Sequence, residues 1–358
     1  MPAMAPRRTL ARLLRAAAVV AGLGIALILA EVGVRWLVPV RNVGPMLSVY
    51  DPVEGKRLKP GFTAVRTSPE FRMEFSTNSD GFRGPELVDD RRRRLLFLGD
   101  SFTMGYGVSD GEEYPALLAQ PTNPLRPPAL QVINAGIGNS GNGRWIKLLR
   151  ERGPVIGPAL VVMQVAGNDP ADNAVEGLFA LNPRSGSLDE LRTPVPHHPL
   201  RALQGVIEAI PLLSRSHLFC LLRDGSLRAT PRVAPDGESG DEGKRIPLTI
   251  AILRSALDLC ADEEWPVLAL TVSTSPELEA ALGELFDEYD VPAIRVPSKA
   301  EKPELYFPVD AHWNTAGHLE VARQLHAHPR FEELAHSPAG GLRVPAASPL
   351  WEHARQQR

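Results

Sequence analysis

The stretch Leu95-Leu96-Phe97-Leu98-Gly99-Asp100-Ser101 decides the fold of this 358-residue chain. It is an apolar run that ends abruptly on a glycine, an aspartate and a serine. In parallel sheets, a buried strand ends in this way where it delivers a polar side chain to the carboxyl edge of the sheet. The stretch therefore predicts a buried strand with a serine hydroxyl group at its carboxyl end.

Strand-like and helix-like segments alternate from this stretch almost to the end of the chain. Apolar runs predict strands at 95–98, 130–133, 159–165, 266–272 and 292–296. The segments between and after them predict helices at 113–120, 144–152, 247–261, 276–288 and 315–325. Such alternation implies a parallel sheet with helices on both faces. We therefore expect an α/β fold: a three-layer α/β/α, flavodoxin-like doubly wound parallel sheet of about five strands.

A histidine and an aspartate suited to activating the serine come far downstream, in Asp310-Ala311-His312-Trp313. A serine hydroxyl is a weak nucleophile unless an imidazole takes its proton and a carboxylate orients the imidazole. The sequence therefore predicts Ser101 as the nucleophile, His312 as the base and Asp310 as the orienting carboxylate. The alternative role of Ser101 is to cap the following helix. The competing imidazole, His318, is expected on the surface of the last helix.

Two further blocks are candidates for binding an oxyanion. One is Asn134-Ala135-Gly136-Ile137-Gly138-Asn139 and the other is Gly167-Asn168-Asp169. Backbone N–H groups and side-chain amides are the donors that stabilise negative oxygen in acyl-transfer sites. An ordinary glycine-rich turn is the alternative interpretation of the first block, and Asp169 is expected to anchor its loop structurally.

In this order, the four blocks resemble those of the SGNH, or GDSL, hydrolases, over roughly residues 75–330. The resemblance implies an oxyanion hole with three donors: the backbone N–H of Ser101, the side-chain amide of Asn168 and a backbone N–H in the second block. Alignment from Asn134 places this third donor at Asn139. Gly138 and Gly141 are the alternatives for that position.

The spacing between the aspartate and the histidine of the last block indicates which branch of the family the chain resembles. Much of the family places the carboxylate three residues before the histidine, whereas here Asp310 precedes His312 by two. Asp-x-His followed by Trp is similar to the form found in alginate O-acetylation proteins. The resemblance implies an extracytoplasmic serine esterase that cleaves O-acyl esters, in particular O-acetyl esters on a cell-envelope glycan, through an acyl-serine intermediate. The alternatives are an O-acetyltransferase acting on a cell-surface polysaccharide and a non-catalytic glycan-binding or assembly protein.

Composition limits the remaining possibilities. The chain is 44% hydrophobic and 23% charged, which is typical of a globular protein with an ample core. Its net charge of −3 gives no electrostatic case for nucleic-acid binding. The sequence contains no dinucleotide-binding Gly-x-Gly-x-x-Gly, no phosphate-binding P-loop and no zinc motif, and the expected chemistry needs no cofactor and no metal.

The N-terminus predicts a membrane segment. Arginines precede an uncharged apolar stretch at 16–30. Positive charge before an apolar stretch keeps the N-terminus in the cytoplasm and exports the rest of the chain. Continuation of the helix through Val40 would lengthen the span enough for an anchor. We expect a single-pass anchor in a bacterial inner membrane, with the catalytic domain on the periplasmic side. Secretion after signal cleavage is the alternative. The arginines in question are Arg7, Arg8, Arg12 and Arg15.

The expected organisation combines these segments. Residues 1–40 form the anchor, 41–94 an extracytoplasmic lead-in, and 95–335 the hydrolase domain with an insertion at about 170–246. Residues 336–358 form a tail that is expected to be disordered. Within the lead-in, Thr77–Arg83 is interpreted as a tight turn with a structural role.

The chain contains two cysteines, Cys220 and Cys260. Export to an oxidising compartment permits a disulfide between them. Their apolar neighbours equally fit two separately buried thiols.

Overall fold

The computed structural model describes residues 6–88, 92–119, 130–191, 193–195, 210, 213–229 and 242–336. The strands in chain order are β1 (Ser48–Val49), β2 (Arg57–Leu58), β3 (Thr63–Thr67), β4 (Arg72–Ser76), β5 (Arg93–Leu98), β6 (Leu130–Asn134), β7 (Leu160–Ala166), β8 (Phe179–Leu181), β9 (Leu188–Glu190), β10 (Val267–Val272) and β11 (Ala293–Val296). The α-helices in chain order are α1 (Pro6–Leu37), α2 (Ser101–Met104), α3 (Tyr114–Ala119), α4 (Gly143–Ile156), α5 (Asp169–Glu176), α6 (His217–Ala229), α7 (Glu242–Asp262), α8 (Pro276–Glu288), α9 (Thr315–His326) and α10 (Pro329–His336).

Five parallel strands form the central sheet, in the spatial order β11-β10-β7-β5-β6. Numbered by their order along the chain, these strands run 2-1-3-4-5 across the sheet, which is the flavodoxin-like order. The order reverses between β5 and β7. Ligands of such folds bind beyond the carboxyl ends of the strands at this reversal point, where the segments after β5 and β7 meet.

The side chains of the sheet alternate between two apolar layers. Leu96 and Leu98 of β5 pack with helices α4, α7 and α8 on one face. Leu95 and Phe97 pack with α3 and α9 on the other face. Strand β7 is buried along its whole length, since both of its faces are covered. The molecule is therefore the three-layer α/β/α fold expected from the sequence.

The five predicted strands and the helices that follow them are confirmed. Helix α7 begins at Glu242, five residues before its predicted start, and continues through Pro247. Helix α4 likewise extends past the predicted end to Ile156 and contains Pro154. A proline in the sequence is therefore an unreliable predictor of a helix end, because it weakens a helix without always ending it.

The lead-in and the insertion contain secondary structure that the sequence did not indicate. The lead-in forms two small antiparallel pairs, β1 with β2 and β3 with β4. The described part of the insertion contains the β8–β9 hairpin and helix α6. All of these strands have only two to five residues, which leaves little periodicity to detect. The tail from 337 onward lies outside the described residues.

Helix α1 contains an apolar segment, Leu10–Leu37, whose most apolar 18 residues have a mean hydropathy of 2.3. By length and composition this segment is able to cross a membrane, and none of its most apolar part is buried in the protein. A signal sequence near the N-terminus would have the same character.

Cys220 and Cys260 are both buried free thiols, so the structure contains no disulfide between them. They lie in different apolar clusters: Cys220 packs near Val40 and Val43, and Cys260 packs in the main core. Burial raises the pKa of the Cys260 thiol to about 12, which leaves it protonated and unreactive at neutral pH.

Candidate active site

Ser101 lies at the N-terminus of α2, directly beyond the carboxyl end of β5. The Asp100 side chain caps this short helix by accepting a hydrogen bond from the backbone N–H of Phe102 at 2.9 Å. Gly99 is required before it, because a Cβ atom there would lie 2.0 Å from Oγ1 of Thr103. The abrupt end of the strand thus turns the chain so that Ser101 is partly exposed at the sheet edge.

The structure brings the three predicted catalytic side chains into one hydrogen-bonded series. Oγ of Ser101 lies 2.6 Å from Nε2 of His312. Nδ1 of His312 lies 2.5 Å from Oδ1 of Asp310. An ionised carboxylate only accepts hydrogen bonds, so Nδ1 carries the proton and Nε2 is free to accept the serine proton. This arrangement is the one that a serine nucleophile requires.

The two-residue step from aspartate to histidine is compatible with this geometry. Oδ1 of Asp310 accepts hydrogen bonds from both the backbone N–H of His312, at 3.0 Å, and its Nδ1–H. The carboxylate therefore orients the backbone and the ring of the same residue. Burial raises the pKa of Asp310, but the hydrogen bonds and charge of His312 outweigh burial and lower it. Asp310 therefore stays ionised to a more acidic pH than an ordinary aspartate.

Trp313 couples the histidine loop to the serine helix. It is fully buried, and its ring centroid lies 4.6 Å from that of Phe102, the residue after Ser101. His312 packs between Phe102 and Tyr106, at centroid distances of 5.0 and 4.7 Å. The aromatic contacts hold the imidazole beside the hydroxyl, which explains why a tryptophan follows the histidine.

Asn168 follows β7 and is linked to the serine segment through Asp100. Its Nδ2 donates to Oδ2 of Asp172 at 2.7 Å and to Oδ2 of Asp100 at 3.3 Å. Burial raises the pKa of Asp100, and the carboxylate of Asp172 adds to this effect. Both amide protons of Asn168 thus point at carboxylates, and the bond to Asp100 is the longer and weaker of the two.

The second block places Gly138 beside the serine. A Cβ atom on Gly138 would lie 3.4 Å from Cβ of Ser101. Gly141 instead packs against helix α5, where a Cβ atom would lie 2.3 Å from Oδ1 of Asn173. Asn139 has a positive φ of 51°. Among the described residues, the backbone N–H groups of Ser101, Gly138 and Asn139 donate to no protein acceptor.

Asp169 holds the loops behind the site. Its Oδ2 accepts from Nδ2 of Asn142 at 2.7 Å and from the backbone N–H of Ala166 at 3.0 Å. Burial, and then the charge of Asp100, raises the pKa of Asp169 well above its ordinary value. Protonation of this group therefore favours the folded state, so its contribution to stability declines as the pH rises through the raised value.

The expectation that His318 lies on a helix surface is wrong. The side chain is 1% exposed, and its Nδ1 accepts a hydrogen bond from the backbone N–H of Tyr114 at 3.3 Å. Its position on α9 faces the aromatic core rather than solvent, and its ring stacks on that of Tyr114. Burial, with the positive charge of Arg83, lowers the pKa of His318 to about 3. The imidazole is therefore neutral at physiological pH, and its described contacts are with the core.

Sequence reasoning missed the part that the lead-in plays at this site. Lys56 donates to the carbonyl oxygens of Gly138 and Asn139, at 2.7 and 2.9 Å. The Glu70 carboxylate accepts from the backbone N–H groups of Val309 and Asp310, both at 2.7 Å. These contacts fix the second block and the aspartate loop from outside the sheet. They involve backbone atoms of distant segments, which carry no signal in the sequence.

Arg83 fixes the loop after the serine helix. The residue is 2% exposed and donates to the carbonyl oxygens of Met104 and Gly105, both at 2.7 Å, and of Val108 at 2.9 Å. Its guanidinium also faces the buried carboxylate of Glu113 at 3.7 Å. The turn Thr77–Arg83 therefore has the structural role expected from its sequence. Through Arg83 it holds the loop that follows α2.

We expect Arg83→Met to lower the free energy of unfolding by about 3–5 kcal/mol, because it leaves a buried carboxylate and three carbonyl groups without their cation. Thermal unfolding of the full chain in detergent measures this. The matched control is Arg323→Met, which removes a side chain with 66% exposure and its surface ion pair with Glu320. The control should change the stability by no more than about 1 kcal/mol. Equal melting temperatures for the two variants would contradict the role assigned to Arg83.

Of the known proteins compared with this chain, only solved structures match it. No protein-family model and no curated protein matches the chain. The esterase EstA from Pseudoalteromonas sp. matches with 12% identity over 65% of this chain and 94% of its own, at a TM-score of 0.40. TesA matches with 16% identity over 68% and 99%, at a TM-score of 0.40. A two-domain esterase active on acetylated mannans matches with 14% identity over 71% and 52%, at 0.37. At these identities and TM-scores the comparisons assign no activity to this chain.

Proposed function

We propose that this chain is an SGNH-type serine hydrolase that cleaves carboxylic esters through an acyl-serine intermediate. One observation carries the proposal: the continuous hydrogen-bonded series from Ser101 through His312 to Asp310, with separations of 2.6 and 2.5 Å. The series lies at the reversal point of the sheet, where this fold places its ligands.

The chemistry follows from the geometry. Nε2 of His312 takes the proton of Ser101 as Oγ bonds to the ester carbonyl carbon. The tetrahedral intermediate collapses, the bond to the alcohol oxygen breaks, and His312 returns the proton to that oxygen. Water then attacks the acyl group with His312 again as base, which releases the acid and restores Ser101. Asp310 stabilises the imidazolium that forms in each half of the reaction.

The negative oxygen of the tetrahedral intermediate needs donors in place before the reaction. The backbone N–H groups of Ser101 and of the Gly138–Asn139 segment lack protein acceptors among the described residues, which suits them to this role. Asn168 supplies the third donor by exchanging its longer bond to Asp100 for one to the substrate, while Asp172 keeps the amide in position.

Asn168→Ala should therefore reduce kcat about 10²–10³-fold with a much smaller change in KM, because the lost bond forms only in the transition state. Steady-state kinetics on a small acyl ester measure both constants. A variant that unfolds more easily but retains its kcat would show that Asn168 only supports the loop.

The direct test of the function uses the full chain in detergent. The wild type should hydrolyse small acetyl esters and react covalently with a fluorophosphonate at Ser101, and the matched variant Ser101→Ala should do neither. A folded wild-type protein that shows no turnover above the variant, for acyl chains of any length tested, would overturn the proposal. That result would favour a non-catalytic binding or assembly role for the protein.

We further propose that α1 is retained as a membrane anchor and that the domain faces the extracytoplasmic side. The arginines at the N-terminal end of α1 support this topology, as does the mean hydropathy of 2.3 over the most apolar 18 residues of the helix. O-acetyl groups on envelope glycans are the proposed physiological esters. Loss of envelope-glycan acetylation on deletion of the gene would indicate acyl transfer to sugar, and a gain would indicate deacetylation.

A further inference from the structure

The last turns of α1 are attached to the hydrolase domain by a partly buried polar contact. The carboxylate of Glu31 accepts hydrogen bonds from Oγ of Ser216 at 2.6 Å and from the backbone N–H groups of His217 and Leu218 at 2.8 and 2.9 Å. These groups form the N-terminus of α6, where a negative charge is stabilising. The end of the apolar helix is thus fixed against α6 rather than joined to the domain by a free linker.

The chain after α1 continues this attachment. Val40 and Val43 are buried with Cys220 in an apolar cluster that Val34 of α1 also joins. Arg223 of α6 donates to the carbonyl oxygens of Asn42 and Gly44, at 2.9 and 2.8 Å. The segment from Val38 to Gly44 is therefore part of the folded domain.

The same segment contacts the active site. The hydroxyl of Tyr106 donates a hydrogen bond to Oδ1 of Asn42, and its ring lies 4.7 Å from that of His312. The positive charge of Arg41 contributes to lowering the pKa of Asp310, after the larger effects of burial and of His312. Five residues span at most about 18 Å, so Asn42 lies within that distance of Leu37, the last residue of the apolar helix.

Exposed apolar residues occur in the segments that meet at this junction and beside the active site. Trp36 and Leu37 at the end of α1 are 82% and 81% exposed, and Leu222 of α6 is 62% exposed. Val309, the residue before Asp310, is 65% exposed at the rim of the site. Exposed arginines occur in the same parts of the chain: Arg35 at the end of α1, Arg41 just after it and Arg215 just before α6. Apolar side chains interspersed with arginines match the surface of a bilayer with anionic headgroups, and tryptophan prefers that depth.

We propose that α1 and α6 hold the active site against the bilayer that α1 crosses, and that its substrates are acyl esters on amphiphiles of that same membrane, lipid-linked envelope glycans among them. This inference rests on the proposed esterase function. Because α1 and α6 hold the active site at a fixed distance from the bilayer, esters in the same membrane reach it at a high effective concentration. Esters in another membrane do not reach it.

The test compares three presentations of an ester. The full chain is reconstituted in phosphatidylcholine vesicles containing phosphatidylglycerol, with a fluorogenic acyl ester on a lipid-anchored amphiphile in the same vesicles. In a second sample the amphiphile is in separate vesicles, and in a third the ester is soluble. We expect hydrolysis at least tenfold faster in the same vesicles than across vesicles, together with measurable turnover of the soluble ester.

Leu222→Asp should reduce hydrolysis in the same vesicles severalfold and leave turnover of the soluble ester unchanged. The matched control, Leu319→Asp, alters an exposed leucine of α9 with 59% exposure and should change neither rate. Equal rates in the two vesicle arrangements, or equal effects of the two variants, would overturn the inference while soluble turnover still supports the esterase. Absence of turnover of every ester, soluble or membrane-borne, would overturn the esterase proposal, and this inference with it. A membrane-extracted protein that begins near residue 31 would overturn the anchoring.

Discussion

His312→Ala should lower kcat for a small acyl ester by about 10⁴-fold or more, because the serine then has no base within reach. The double variant with Ser101→Ala should be no less active than either single variant. Residues that act as one unit lose nearly all of their combined effect when the first of them is removed. The 2.6 Å contact between the two side chains makes them such a unit in this structure.

The measurement is steady-state turnover of the four proteins under one set of conditions, with thermal unfolding to confirm that each is folded. His318→Gln provides a second control, since this buried imidazole contacts the backbone of Tyr114 rather than the serine. It should affect stability more than kcat. Multiplicative losses in the double variant would mean that Ser101 and His312 act independently, and would contradict the proposed mechanism.

The sequence predicted the sheet well because the buried strands are uniformly apolar. Each position of β7 and β10 is buried, and such runs bounded by helices leave few alternatives. Ser101 and His312 were predictable for a related reason. Ser101 directly follows a strand and His312 lies in the loop before the helix Thr315–His326, so the topology brings both to one edge of the sheet.

The supporting contacts were not predictable, and the reason is physical. Lys56 and Glu70 bind backbone atoms of segments more than 80 residues away in the chain, as the separations of 82 and 239 residues show. A backbone carbonyl or N–H group has no residue type, so nothing in the sequence marks its partner. His318 was misplaced because helical spacing shows which residues share a face but not which neighbouring helix covers that face.

Two substitutions of Asp310 separate two effects of its carboxylate on His312. One is the orientation of the ring, and the other is the stabilisation of the positive charge that forms on it. Asp310→Ala removes both and should lower kcat by about 10⁴-fold. Asp310→Asn should be clearly less damaging, because in this structure one oxygen, Oδ1, accepts from both the backbone N–H and Nδ1–H of His312. An asparagine carbonyl in that position accepts the same two bonds and preserves the tautomer, so only the charge that stabilises the imidazolium is lost.

Kinetics of the two variants beside the wild type decide this point. We expect Asp310→Asn to retain at least tenfold more activity than Asp310→Ala, with both variants still labelled slowly by a fluorophosphonate. Equal losses would show that the asparagine presents its amide N–H₂ to Nδ1 and so stabilises the wrong tautomer. The short Asp-x-His step would then depend on the negative charge for orientation as well as for catalysis, because only a carboxylate would hold both donors of His312.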